Sequence, residues 1–202
     1  MISIIHVPGS NSNNLQHALE YIDEVELIVT PDQMSENTRV IFLPGVGFFH
    51  SYMSFLYKHG WVEMLAATNI PIIGICVGFH VMCLSSEESV GDKGLGYFPA
   101  FVERIQVKDS KSLSKVPNVG RRTLPKVNFL PPLEEAYFVH SFAVIFKNPT
   151  DEFLIQKTDI AGRKYAIAIK KGNRIGLQYH PELSGTEAIP FLSQLIKGEF
   201  YG

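Results

Sequence analysis

The feature that most constrains the fold is an apolar stretch at residues 70–75 that runs into a Gly-x-Cys-x-Gly motif centred on Cys76. A helix-like segment at residues 79–84 follows directly. A cysteine between two glycines, after a buried strand and before a helix, is typical of a nucleophile elbow. Glycines permit the tight turn that lifts the side chain clear of the sheet, and the helix N–H groups favour the thiolate. Cys76 is therefore a candidate nucleophile, whereas we interpret Cys83 as a core cysteine; the same structural role is the alternative for Cys76.

The first half of the chain alternates between strand-like and helix-like segments. Apolar runs predict strands at residues 2–7, 25–29, 39–43 and 70–75. Helical spacing predicts helices at residues 14–22 and 79–84 and helical structure, broken at Gly60, at residues 53–67. This alternation predicts an α/β fold with a mainly parallel central sheet flanked by helices. Sites in such sheets form beyond the carboxyl ends of the strands, where Cys76 and the Pro-Gly-Val-Gly loop at residues 44–47 would both lie.

The second half is patterned as short strands separated by turn residues, which are expected to add antiparallel strands to the sheet. The expected strands are at residues 98–107, 124–129, 137–146, 152–158, 164–170 and 174–179, with a hairpin turn at 171–173, a loop at 108–122 and a closing helix at 185–197. Because the sequence shows no internal repeat and no second pattern of elements, we expect residues 1–202 to form a single domain.

Charge and cysteine content exclude several classes of function. The chain of 202 residues carries 18 basic and 20 acidic side chains, which provides no basic surface for nucleic acid or anionic lipid. It has no apolar stretch of membrane-spanning length and no pattern of a secretory signal at its N-terminus. Two cysteines without a disulfide framework fit a reducing cytosol. We expect a cytoplasmic protein without a nucleic-acid or membrane partner.

A thiol nucleophile needs a base, and the strand expected at residues 174–179 ends in His180-Pro181-Glu182. Proline ends the strand and presents the imidazole at the strand end. The Glu182 carboxylate can accept a hydrogen bond from the ring and leave the other nitrogen free for sulfur. Taken alone, His-Pro-Glu is more typical of a surface turn than of a catalytic site; together with Cys76 it predicts a Cys-His-Glu triad.

These motifs resemble the class I glutamine amidotransferases. The resemblance rests on the Cys76 elbow and on Gly-x-Gln-x-His-Pro-Glu at residues 176–182, and it extends to residues 42–47 and 93–96. The Tyr-Phe-Val-His-Ser-Phe segment at residues 137–142 is similar to that of one subfamily, the glutaminase subunit of imidazole glycerol phosphate synthase. The resemblance covers nearly the whole chain and implies a flavodoxin-like sheet of the amidotransferase type.

The resemblance implies the chemistry. Cys76 would attack the side-chain amide of L-glutamine and form a thioester, His180 would transfer the proton to departing ammonia, and Glu182 would hold His180. Backbone N–H groups at Gly45, Val46, Gly47 and Val77 would meet the oxyanion. Four further residues are assigned near the substrate: His80, Glu88, His140 and Ser141.

The same resemblance implies a protein partner and no cofactor or metal. Free ammonia is protonated in water and loses its lone pair, so such glutaminases pass it through a dry tunnel to a synthase, here a cyclase subunit in a heterodimer. A paralogue that supplies ammonia to a surface-sugar synthase, a stand-alone γ-glutamyl cysteine hydrolase and a non-catalytic protein of the same fold are the alternatives.

Four positions depart from the subfamily pattern. The segment at residues 6–11 stands where Asp-Tyr-Gly-x-Gly-Asn is usual, and His80 replaces a glutamine that contacts substrate. Arg121 and Arg122 stand where Trp-Asn is usual, and Leu183 replaces a lysine. Most of these departures are expected on surfaces that face the partner, while the triad is intact.

Overall fold

The computed structural model describes residues 1–107, 116–148 and 150–198. Thirteen strands and five α-helices are defined in these ranges. The strands are β1 Ile2–Ile5, β2 Val25–Ile28, β3 Val40–Leu43, β4 Ile72–Ile75, β5 Ser85–Ser86, β6 Ser89–Lys93, β7 Phe101–Arg104, β8 Asn118–Thr123, β9 Glu135–His140, β10 Phe142–Ile145, β11 Leu154–Ile160, β12 Arg163–Lys171 and β13 Arg174–Leu177. The α-helices are α1 Ser12–Glu20, α2 Phe49–Lys58, α3 Trp61–Ala67, α4 Val77–Val81 and α5 Ala188–Ile196, and 3-10 turns lie at Pro31–Gln33 and Pro181–Leu183.

The main sheet has a parallel half and a mainly antiparallel half, in which only the short pair β5–β7 is parallel. Its order is β2-β1-β3-β4-β13-β12-β10-β7-β5-β6, with β11 paired to β12. The first five of these strands run parallel to one another, whereas β12 is antiparallel to both β13 and β10. The predicted α/β class, with a parallel centre and antiparallel strands added by the C-terminal half, is confirmed.

Helices cover both faces of the parallel half. Helices α1 and α5 pack on one face through apolar side chains such as Leu15, Leu19 and Phe191. Helices α2, α3 and α4 pack on the other face, where Trp61 and Phe79 are fully buried. Each such side chain contributes roughly 1.5–3 kcal/mol by leaving water, so the sheet is held rigidly from both sides.

The strands that carry the predicted nucleophile and base are adjacent. β4 and β13 pair in parallel, with Ile75 opposite Leu177 at their carboxyl ends. The chain therefore leaves both strands at the same edge of the sheet. β13 reaches this position through the predicted hairpin, which is confirmed: Lys171 pairs with Arg174, and Gly172 has a φ of 52°, a conformation that favours glycine.

The predicted strand at residues 124–129 is wrong, and strand β8 instead occupies residues 118–123 of the predicted loop; residues 108–115 of that loop lie outside the described ranges. Leu124 and Phe129 are apolar because this irregular segment packs on the α1 and α5 side of the sheet, together with Leu130. Pro125 lacks a backbone N–H and so cannot complete a strand ladder there.

The strand predicted at residues 137–146 is two strands. The chain bends at Ser141, so that β9 pairs with β8 in a separate two-stranded sheet while β10 joins the main sheet. The helix expected at residues 79–84 begins earlier and is short, at Val77–Val81. Within the described residues no helix is long and apolar enough to cross a membrane.

Candidate active site

Cys76 occupies a strained turn between β4 and α4. It has φ 49° and ψ −107°, in a region that residues other than glycine rarely adopt. A Cβ atom on Gly74 would lie 2.6 Å from the carbonyl oxygen of Gly78, and one on Gly78 would lie 2.1 Å from that of Leu43. The flanking glycines are thus required by close packing, whereas the unusual dihedral angle falls on the cysteine itself.

His180 follows β13 and is fully buried. Its backbone N–H donates a 2.8 Å hydrogen bond to the carbonyl of Tyr137, and its ring Nδ1 lies 2.7 Å from Glu182 Oε1. Because a carboxylate only accepts, Nδ1 carries the hydrogen. Nε2 has no hydrogen-bond partner within normal limits among the residues described here. The ring is oriented by Glu182, and its second nitrogen is uncommitted.

Gly45 shows how near the thiol and the imidazole lie to each other. A Cβ atom on this glycine would be 2.5 Å from His180 Cε1 and 3.1 Å from Cys76 Cβ. Both side chains therefore contact the same glycine of the loop after β3. The structure brings Cys76, His180, Glu182 and Gly45 together, although they are distant in the sequence.

The electrostatic surroundings of His180 favour its charged form. Burial alone would lower the pKa of His180, but its contacts with Cys76 and Glu182 outweigh burial and raise the pKa above the ordinary value. A protonated imidazole beside a thiol stabilises a thiolate. The arrangement therefore suits a thiolate–imidazolium pair, the reactive form of a cysteine nucleophile.

Asn11 is a contact of Glu182 that the sequence did not reveal. Its Nδ2 donates a 2.9 Å hydrogen bond to Glu182 Oε1, the same oxygen that holds His180. Its backbone N–H donates to the carbonyl of Gly45 at 2.7 Å. Asn11 thus ties the carboxylate to the Gly45 loop. The available signal was that Asn11 keeps the asparagine of the subfamily's early segment although the rest of that segment differs.

Gln178 is a second contact that was missed, although it lies within the Gly-x-Gln-x-His-Pro-Glu motif. It is fully buried, and its Nε2 lies 3.8 Å from Cys76 Sγ. Its Oε1 lies 2.9 Å from His80 Nε2, which must donate because an amide oxygen only accepts. His80 is also buried, and burial lowers its pKa to about 4, so it is neutral near pH 7.

The loop predicted to stabilise the oxyanion is conformationally strained. Val46 has φ 72° and Gly47 has φ 116°, and a positive φ is uncommon for a β-branched residue. Val46 is 43% exposed, whereas Val77, after the nucleophile, is buried. The loop thus presents its backbone beside the cysteine, and its role toward an oxyanion stays a prediction.

Glu88 contacts the start of helix α2, which follows this loop. Its Oε2 accepts a 2.7 Å hydrogen bond from the backbone N–H of Phe49, the first residue of α2. A carboxylate there satisfies one of the free N–H groups of the helix start. Glu88 is therefore placed near the site with one oxygen committed to the helix, and its contact with substrate stays a prediction.

His140 and Ser141 lie at the bend between β9 and β10. The His140 Nδ1 donates to the carbonyl of Phe142 at 2.8 Å, and its Nε2 accepts from Asn118 Nδ2 at 2.9 Å. Burial lowers the pKa of His140 to about 3, with a smaller contribution from nearby histidines. The Ser141 carbonyl accepts from Ile105 N–H at 2.9 Å. Protein groups thus satisfy both ring nitrogens of His140, and the substrate contacts of both residues stay predictions.

Cys83 has the surroundings of a core cysteine, in agreement with its interpretation from the sequence. It is fully buried, and its Sγ lies 3.6 Å from the carbonyl oxygen of Phe79. Burial strongly raises the pKa of the Cys83 thiol, which disfavours the thiolate. The two cysteines therefore differ in reactivity for a physical reason.

Three of the residues that depart from the subfamily pattern lie in two segments: Arg121 and Arg122 on β8, and Leu183 in the turn that contains Glu182. Both arginines are exposed, and the Arg121 guanidinium packs over Gly185, where a Cβ atom would meet it at 2.9 Å. Leu183, partly buried, follows Glu182 and lines a shallow cavity with Asn14. Across the described ranges, no group of three His, Cys, Asp or Glu side chains could hold a metal ion.

Comparison with known proteins assigns the fold and the motifs to one family. Residues 4–195 match the family described as "Glutamine amidotransferase class-I". The chain is 34% identical to "Imidazole glycerol phosphate synthase subunit HisH" of Staphylococcus aureus strain Mu50, with 99% of this chain and 98% of that protein covered. It is 31% identical to the protein of the same name from Methanocaldococcus jannaschii, with 98% and 99% covered.

Solved structures share the fold at low sequence identity. One described as "Crystal structure of glutamine amidotransferase" superposes with a TM-score of 0.71 at 14% identity, and 98% of each chain is covered. "Structure of PurLQS from Thermotoga maritima" superposes with a TM-score of 0.66 at 19% identity, covering 98% of this chain and 97% of that chain.

Proposed function

Since this chain belongs to the class I glutamine amidotransferases and resembles HisH subunits over nearly its full length, we propose that it is the glutaminase subunit of an imidazole glycerol phosphate synthase. Cys76, His180 and Glu182 would release ammonia from L-glutamine. The observation that carries the proposal is the convergence of Cys76 Cβ and His180 Cε1 on Gly45.

In the first half of the reaction the Cys76 thiolate attacks the side-chain carbonyl carbon of glutamine. The C=O electron pair moves to oxygen, and backbone N–H groups at Val77 and in the loop of residues 45–47 stabilise the oxyanion. When the C–N bond breaks, His180 gives its proton to the departing nitrogen, so that ammonia and a γ-glutamyl thioester are formed. His180 is then neutral.

In the second half, neutral His180 removes a proton from water, whose oxygen attacks the thioester. The C–S bond breaks, glutamate leaves, and the thiolate–imidazolium pair is restored. Glu182 holds Nδ1–H throughout at 2.7 Å, so Nε2 always faces the reacting atoms. Asn11 keeps the carboxylate in place at 2.9 Å.

Ammonia must reach its acceptor unprotonated, so the proposal includes a cyclase subunit that docks on this chain and receives it. We further propose that residues 1–202 form one domain, because the main sheet contains strands from both halves of the chain, and that the protein works in the reducing cytosol, where both cysteines stay free. The exposed residues Arg121 and Arg122 and the partly buried Leu183 are the positions to examine at the docking surface.

The experiment is a glutaminase assay of Cys76→Ser, with Cys83→Ser as the matched control, run with and without the synthase that co-purifies from the native host. Cys76→Ser should lower ammonia release by on the order of a thousandfold or more, while Cys83→Ser keeps it. Ammonia release by Cys76→Ser at the wild-type rate would contradict the proposal. A co-purifying sugar-modifying synthase instead of a cyclase would keep the chemistry and favour the paralogue.

A further inference from the structure

The segment that follows β13 delivers two side chains to the nucleophile. Gln178 Nε2 lies 3.8 Å from Cys76 Sγ, and His180 contacts the same glycine, Gly45, as Cys76 does. Tyr179 between them points the other way, into the core against Phe138 and Phe191. Gln178 and His180 therefore face the same side, and Cys76 lies there.

The orientation of the Gln178 amide is fixed by its surroundings. Its oxygen accepts from His80 Nε2 at 2.9 Å, so its NH₂ group is the end that faces Cys76 Sγ at 3.8 Å. The backbone is fixed as well, because the N–H of Gln178 donates to the carbonyl of Ile167 at 2.8 Å. If the amide were reversed, the carbonyl dipole would face a thiolate and oppose it.

We propose that Gln178 donates an N–H hydrogen bond to the Cys76 thiolate and that His80 is the positioning residue that holds the amide in this orientation. The proposal deepens the proposed function, on which it rests, since the thiolate it stabilises is the proposed nucleophile. It gives the thiolate a second donor besides His180. Gln178 and Cys76 are both buried, so water does not compete well for this contact.

The proposal also explains how histidine serves at a position where the subfamily has glutamine. A neutral His80 with hydrogen on Nε2 supplies one donor to Gln178 Oε1. The NH₂ group of a glutamine could supply the same donor from this position. A leucine has no hydrogen-bond donor, so the Gln178 amide would then be free to rotate.

The test is the pH profile of Cys76 alkylation by iodoacetamide, followed by mass spectrometry of the peptide that carries Cys76. Alkylation reports the thiolate and needs neither glutamine nor a partner. In Gln178→Leu the midpoint of the profile should move up by about one pH unit, which is a tenfold loss of thiolate at pH values well below the midpoint. Gln156→Leu is the matched control, because Gln156 is also buried but donates to the carbonyl of Pro125.

A second pair of variants keeps the test decisive if Gln178→Leu does not fold. His80→Leu should move the midpoint up, and His80→Gln should restore it. An unchanged midpoint in folded Gln178→Leu, or equal midpoints in the two His80 variants, would overturn the proposal. If these profiles shift as expected while Cys76→Ser still hydrolyses glutamine, the proposed function fails and the thiolate contact survives.

Discussion

The backbone N–H of Cys76 donates a 2.7 Å hydrogen bond to the carbonyl of Leu177. This bond closes the ladder between β4 and β13 at the point where the chain turns toward the nucleophile on one side and toward His180 on the other. The geometry of the candidate triad is therefore set by strand pairing, and only the last few residues depend on loops. Fixed elements hold a reactive geometry more precisely than loops do.

Gly45→Ala should abolish glutaminase activity while the protein still folds. The new methyl group would lie 2.5 Å from His180 Cε1, closer than real contacts allow, and would push the imidazole away from Cys76. We expect at least a hundredfold loss of kcat/KM, because small displacements of a base are costly. Gly162→Ala is the control: it strains a glycine with φ 81° but meets no atom within 4 Å. Activity of Gly45→Ala equal to that of Gly162→Ala would refute this geometry.

Asn11→Ala should lower kcat and leave the KM for glutamine nearly unchanged. A hydrogen bond to a charged group contributes about 1.5–3 kcal/mol, so the loss should be about ten- to a hundredfold. Asn11→Asp should be worse, because it sets a second carboxylate against Glu182. Asn14→Ala, which removes only an exposed contact to Asn11 Oδ1, should be close to wild type. Steady-state kinetics of the three variants measure these effects. A normal kcat for Asn11→Ala would show that Glu182 does not need the hydrogen bond from Asn11.

The protein should lose stability as the pH falls below 6.5. Burial lowers the pKa of His80 to about 4 and that of His140 to about 3, from an ordinary value of 6.5. The unfolded chain therefore binds protons that the folded chain excludes, and the stabilisation present above pH 6.5 is lost as the pH falls toward these values. Each histidine contributes a slope of up to about 1.4 kcal/mol per pH unit within its own window.

Urea unfolding at a series of pH values between 7 and 4 measures this effect, and His80→Gln should flatten the curve. His180 acts in the opposite direction, since its raised pKa gives stability that is complete below pH 6.5 and lost as the pH rises. The titration of His180 therefore does not change the dependence of stability on pH below 6.5. A curve for His80→Gln as steep as that of the wild type would argue that His80 is not held neutral.

A glutamine analogue with an electrophilic carbon should label Cys76 and spare Cys83. Cys76 faces the imidazole, whereas Cys83 is fully buried and burial raises the pKa of its thiol. Peptide mapping by mass spectrometry identifies the labelled residue, and Cys83→Ser should label to the same extent as wild type. Preferential labelling of Cys83 would show that the elbow does not activate Cys76.

The parts of the fold that the sequence predicted are those in which local pattern and tertiary burial agree. The buried strands that became β1, β3 and β4 are nearly continuous apolar runs, interrupted only by Ser3, with all residues buried, which is typical of parallel sheets. The hairpin at Gly172 was predicted from turn residues alone. The segment at residues 124–129 was misinterpreted because burial against the helix layer produces the same apolar pattern as a strand.

The candidate site shows a similar division. Cys76 and His180 stand in motifs whose chemistry can be recognised locally, so they could be predicted. Asn11 and Gln178 are single polar residues whose partners lie 171 and 102 positions away, respectively. The motifs in which they stand do not identify these partners, which only the pairing of β4 with β13 and the path of the loop after β1 bring together.

The most direct test of the account is to quench the reaction with glutamine in acid and to map the γ-glutamyl group by mass spectrometry. We expect a γ-glutamyl thioester on the peptide that carries Cys76 in the wild type and in Cys83→Ser. Cys76→Ser should form none and should release no ammonia above background. If ammonia is released without any adduct on Cys76, and Cys76→Ser releases it at the same rate, the assignment of Cys76 as the nucleophile is contradicted.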